Sequence, residues 1–133
     1  FWLVEVEGAY SARRFDREMG AADRVRALLA RIELDPGIPE GLRALRQHAS
    51  AHNWVDGPQA IATVRHAAVH PPRRARAFDA PENVSWDASM LAFWYFELAL
   101  LRLLEYPGDA PYNNRISRRD GPGLEYPPWS TGA

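Results

Sequence analysis

Within seven residues, Arg65-His66-Ala67-Ala68-Val69-His70-Pro71 brings together a guanidinium, two imidazoles and a helix stop. Arginine is always charged and offers its donors in a rigid fork that suits a phosphate. Histidine gives or takes a proton near neutral pH. These groups form a minimal set for cleaving a phosphodiester with no metal and no cofactor, the imidazole moving the proton and the guanidinium meeting the developing charge. The residues that follow are also basic: 65–78 carry Arg65, Arg73, Arg74 and Arg76 and no acid, in a chain whose formal net charge is -1. The overall balance excludes a general polyanion binder, while the local patch offers a phosphate a landing place. A solvated arginine loop is the plainer meaning of such a run.

The same histidines support a second chemistry. All four fall into two H-x(3)-H pairs, His48/His52 and His66/His70. Residues four apart share a helix face, so two such pairs on adjacent helices can hold zinc or a related metal. No carboxylate has the spacing of the H-E-x-x-H proteases, and His52 also continues an apolar stripe, which fits a core residue.

Composition removes other options. The 133 residues contain no cysteine, and all 16 Lys+Arg residues are arginine. Disulfides, thiolate sites, Schiff-base lysines and the phosphate-loop lysine are therefore excluded. The length and a 47% hydrophobic content fit one domain with a substantial core. The chain opens at Phe1 inside an apolar run, which reads as a piece of a longer polypeptide whose other domains are partners. The apolar run 88–104 contains Glu97 and Arg102 and is short for a membrane span. A soluble cytoplasmic protein with no membrane partner is expected.

The elements that must position the motif all have helical spacing. Trp2, Val6, Ala9 and Tyr10 predict a first helix, and Val25, Leu28, Leu29 and Ile32 a second that ends before Pro36-Gly37. Leu42, Leu45, Ala49 and His52 give a third. Asp56-Gly57-Pro58 breaks the chain, with Asp56 placed to cap a fourth helix that carries Ile61, Val64 and Ala68 inward and stops near Pro71-Pro72. Residues 82–106 form the fifth, apolar nearly all round, hence central or part of a subunit interface. The expectation is an all-α antiparallel bundle of about five helices over 1–115, with no strand, and a loose Pro/Gly-rich tail over 116–133.

An arginine, four residues and a histidine at a helix end, inside a small helical bundle, resembles the HEPN superfamily. His70-Pro71, the basic loop and the long Trp- and Leu-rich helix after it resemble its Apea-like C-terminal domains, over roughly residues 20–115. The resemblance implies a metal-independent endoribonuclease, the effector part of a prokaryotic defence or toxin protein. His70 is then the general base or acid, Arg65 stabilises the transition state, and His66 occupies a slot where Asn or Asp is usual. RNA is the implied substrate, because DNA lacks the attacking 2′-hydroxyl. A homodimer is implied too, with the two motifs facing one cleft. Arg73, Arg74, Arg76 and Arg115 are candidates for substrate phosphates, and Tyr112, Asn113 and Asn114 for a cover over the site. Five residues along a helix rotate about 140°, so Arg65 and His70 reach one cleft only if the pre-proline residue leaves helical geometry.

A non-catalytic dimerisation or docking module is the alternative, since a fold does not confer activity. Its interface would draw on Trp86, Phe93, Trp94, Tyr95 and Phe96, residues whose ordinary meaning is core packing. Glu97, mid-helix among apolar neighbours, needs a partner such as an arginine if buried and carries no meaning if exposed.

Overall fold

In the computed structural model, residues 19–69, 80–117 and 123–129 are described. They form α1 (Ala21–Arg31), α2 (Arg43–Ala51), α3 (Gly57–Val69) and α4 (Glu82–Leu103), followed by β1 (Tyr112–Asn113) and β2 (Leu124–Glu125). The helix expected over Trp2 to Tyr10 lies outside the described residues.

The packing order follows from which faces are apolar. The long α4 packs against both α2 and α3, and α1 packs against α3. Leu29 and Ile32 of the α1 stripe are buried, as are Leu42, Leu45 and Ala49 around α2 and Ala60 and Val64 on α3. The facing side of α4 buries Val84, Ala88, Leu91, Trp94, Tyr95 and Leu98. Two positions depart from the expected stripes. His52 is exposed at the helix end rather than in the core, and Ala68 is exposed in the last turn of α3.

Three helices end in one motif. Glu33, Asn53 and Glu105 take left-handed backbone with φ of 60°, 55° and 56°. The amides that follow bond back across the last turn, Leu34 to the Leu29 carbonyl at 2.9 Å, Trp54 to that of Ala49 at 2.9 Å and Tyr106 to that of Leu101 at 2.8 Å. Each is a Schellman end, and each puts an apolar residue after the turn to cover the helix.

Acids hold the starts of α3 and α2. The Gln59 amide donates to Asp56 Oδ1 at 2.9 Å, the cap expected from sequence. Pro58 is tolerated because the first turn has no intrahelical amide bond to lose. Gly57 has a separate role: a Cβ there would collide with the Tyr95 hydroxyl and with Leu91. The start of α2 is capped from another helix, the Leu45 amide donating to Asp87 Oδ2 on α4 at 3.2 Å.

The segment after α4 corrects two expectations. It contains a short antiparallel ladder, with Tyr112 opposite Glu125 and Asn113 opposite Leu124. It is also packed where a loose tail was expected, because Ile116, Pro127 and Trp129 are buried. Trp94 Nε1 donates to the Tyr112 hydroxyl at 2.9 Å, and Trp129 Nε1 to the Tyr106 carbonyl at 3.1 Å. Apolar burial, rather than periodicity, anchors these residues. Among the described residues, no helix is long and apolar enough to cross a membrane.

Candidate functional site

The motif sits at the end of α3. Val64 and Ala60 turn inward, and Arg65 and His66 are exposed, His66 in the last described turn. Consecutive helical residues are about 100° apart, so the two side chains leave neighbouring faces of the same helix. The described part of the helix runs to Val69. His70, Arg73, Arg74 and Arg76 lie outside the described residues.

The remaining candidates are found elsewhere. Arg115 donates Nε–H to Glu97 Oε2 at 3.2 Å, and its guanidinium carbon stands 5.6 Å from the centroid of the Phe93 ring. Glu97 is half-buried and has an arginine as its partner. Tyr112 and Asn114 are buried structural residues rather than a cover. Asn114 Nδ2 donates to Glu125 Oε2 at 2.7 Å, and its own Oδ1 accepts the Ile116 amide at 2.8 Å. Burial pushes the Tyr112 hydroxyl up to about 12, the Trp94 bond acting the other way.

His48 and His52 do share one face, as their spacing required. Their rings are stacked with centroids 4.1 Å apart, and Trp54 meets His48 edge-on at 5.2 Å. His52 Nδ1 lies 2.9 Å from the His48 carbonyl oxygen. Burial, then the neighbouring His52, holds the His48 imidazole below its ordinary value. Among the described residues, no three potential ligands gather into a group able to hold a metal, so His48, His52 and His66 do not make one.

One feature was missed at the sequence level. A groove of about 1090 Å³ runs between the start of α2 and the first half of α4, lined by Arg43, Asn83, Trp86 and Asp87 among others. Asp87 at its edge is buried and caps α2. The available signal was an acid set between Trp86 and Ala88 in an apolar helix, which demands a polar partner.

The comparisons with known proteins bear on the whole chain. A model of the YopA C-terminal domain family matches residues 1–123. Over 132 residues the chain is 33% identical to the SPbeta prophage-derived uncharacterized protein YopA of Bacillus subtilis (strain 168). That alignment takes in 98% of this chain and 28% of the relative, so the chain spans little more than a quarter of that protein's length. No solved structure matches the chain.

Proposed function

This chain belongs to the YopA C-terminal domain family, and we propose that it is a metal-independent endoribonuclease domain of the HEPN kind. Arg65 and His70 are the central residues and His66 assists. The observation that carries the reading is the exposure of Arg65 and His66 side by side towards the end of α3, directly before His70-Pro71 in the sequence. The chemistry needs position 70 to leave the angular spacing of a continuous helix, and Pro71 favours that because a residue before proline is disfavoured in helical geometry.

In this mechanism His70 takes the proton from a ribose 2′-hydroxyl, or delivers one to the 5′-oxygen leaving group. The 2′-oxygen attacks the adjacent phosphorus, the bond to the 5′-oxygen breaks, and a cyclic phosphate end remains. Arg65 stabilises the charge that develops on the phosphoryl oxygens. Arg73, Arg74 and Arg76 bind flanking phosphates. Arg115 has a lesser part, since Glu97 and the Phe93 ring already engage it. A cytoplasmic effector in phage–host conflict fits the prophage origin of the relative, with target recognition assigned to the rest of a longer parent protein.

Labelled RNA incubated in EDTA with the wild-type chain, Arg65→Ala, His70→Ala and Arg115→Ala tests this. Wild type should yield cyclic phosphate ends, with a loss on the order of 10²–10⁴-fold for His70→Ala. Arg65→Ala should fall comparably, and Arg115→Ala far less. Equal cleavage by all four, or none by wild type, removes the proposal. The non-catalytic alternative draws its support from the apolar outer face of α4.

A further inference from the structure

We propose that the outer face of α4 pairs with the same face of a second copy, antiparallel across a two-fold axis. This stands apart from the nuclease reading and rests on α4 alone. Glu82, Trp86, Ser89, Phe93, Phe96, Leu100 and Leu103 are all exposed. They recur in alternating steps of four and three, the spacing of a seam between two helices. An ordinary surface helix is polar on that side. Here Trp86 is 60% exposed, Phe93 57%, Phe96 61% and Leu103 47%.

The area is sufficient for association. Aromatic side chains present roughly 150–250 Å² each, so three left more than half exposed, with the leucines beside them, give on the order of 500–600 Å². That reaches the upper end of the largest apolar patch on a typical monomer. It is about two-thirds of the roughly 800 Å² that each partner buries in a standard interface. Half-buried Met90 and exposed Leu104 widen the stripe on one side. Half-buried Ala92 and Ala99 border it on the other and let two backbones approach.

The occupant follows from the order of residues along the stripe. When α4 is reversed about the point between Trp94 and Tyr95, the stripe from Trp86 to Leu103 falls on itself. Trp86 then meets Leu103 of the partner subunit, Phe93 meets Phe96 of the partner subunit, and Ser89 meets Leu100 of the partner subunit. Each contact recurs by symmetry, as an isologous interface requires. Large residues face smaller ones in the outer layers, and the aromatics meet at the centre. A parallel pairing would instead set Trp86 on Trp86 and Glu82 on Glu82, and would align the helix dipoles side by side. The Glu97–Arg115 ion pair borders the seam with no net charge, so a second copy brings no like-charge repulsion there.

Mass measurement by light scattering, together with cysteine cross-linking, tests the pairing. At micromolar concentration the wild-type chain should run at twice its 15.0 kDa mass. Phe93→Glu combined with Phe96→Glu should run as a monomer with an unchanged far-ultraviolet circular dichroism spectrum. The chain has no native cysteine, so Ser89→Cys and Leu100→Cys chains can be mixed and oxidised without background. They should link to each other and not to themselves, and this arm decides even if the glutamate variant fails to fold. A monomeric wild type overturns the proposal. Self-linking of Ser89→Cys overturns the antiparallel arrangement. A dimer that cleaves RNA but forms no link between positions 89 and 100 would sink this pairing and leave the nuclease reading, whose two motifs face one cleft, intact.

Discussion

Arg26 on α1 donates Nε–H to Asp56 Oδ2 at 2.6 Å and Nη2–H to Oδ1 at 3.0 Å, so one carboxylate at the head of α3 ties two helices together. The same carboxylate accepts the Gln59 amide. Burial alone would raise the Asp56 carboxyl. The Arg26 hydrogen bond, the Gln59 amide and the Arg26 charge outweigh it and hold the group below its ordinary range. Asp56→Asn keeps a competent cap and loses the charge pair. Because Arg26 remains partly exposed, the cost should be about 2 kcal/mol rather than the 3–5 of a fully buried pair. Asp56→Ala should cost about 1 kcal/mol more, through the lost cap. Urea unfolding of both variants checks the split. A depressed folded value means that the stabilisation is complete above the unfolded value near 3.9 and is lost as pH falls through the folded one.

A second pH effect runs from His48. Burial, then the adjacent His52, lowers its folded value beneath the unfolded one, near 6.5. The neutral ring is the form that folds well, so its contribution is complete above about pH 6.5 and declines as the solution is acidified through the lower folded value. His48→Gln should therefore flatten the fall in urea midpoint between neutral pH and the unfolding of the carboxylate network. A variant whose midpoint falls as steeply as wild type over that window would show that His48 does not titrate with folding.

The helices and their inward residues were legible because period-3.6 apolar spacing reports burial directly, as at Leu29, Ile32, Leu45, Val64 and Leu91. Asp56 was legible because a cap needs only its own sequence neighbourhood. The outer face of α4 was half legible: its apolar content was plain, yet an all-round apolar helix does not say which side stays exposed among the described residues. The packing of Trp129 against Tyr106 and Arg102 could not be read, since long-range contacts in an irregular segment carry no period. At the candidate site, the exposure of Arg65 and His66 follows from the phase of α3, set by Ala60 and Val64. The ion pair of Arg115 with Glu97 joins positions whose proximity depends on how the chain returns after Pro107-Gly108.

The left-handed turn residues carry a counterintuitive prediction. Glu105 and Glu33 each hold positive φ just past a helix C-terminus. A residue with a Cβ is disfavoured there by roughly 1–2 kcal/mol, while glycine gives back part of that through its looser unfolded state. Each carboxylate also sits at the negative end of a helix dipole. Glu105→Gly and Glu33→Gly should each stabilise the fold by about 0.5–1 kcal/mol. Asn53→Gly should change little, since asparagine tolerates that backbone. A fall in melting temperature for the glutamate variants would show that their side chains hold the turns in some other way.

The strongest test of the segment after α4 is Trp129. Its indole is buried, donates to the Tyr106 carbonyl at 3.1 Å and lies beneath the Arg102 guanidinium at 5.8 Å. Tyr106 is also the residue that closes the Schellman end of α4. Loss of the indole thus opens a cavity and frees the carbonyl at the point where the central helix terminates. Trp129→Ala should cost about 3–5 kcal/mol. Trp129→Phe keeps most of the ring and loses the hydrogen bond, and should cost about 1–2 kcal/mol. Chain termination after Ser117 should destabilise at least as much as Trp129→Ala, because it also removes β2 and the Glu125 carboxylate that Asn114 and Ser117 share. Denaturant unfolding of the three variants orders them. A truncated chain as stable as wild type would mean that the core closes without this segment.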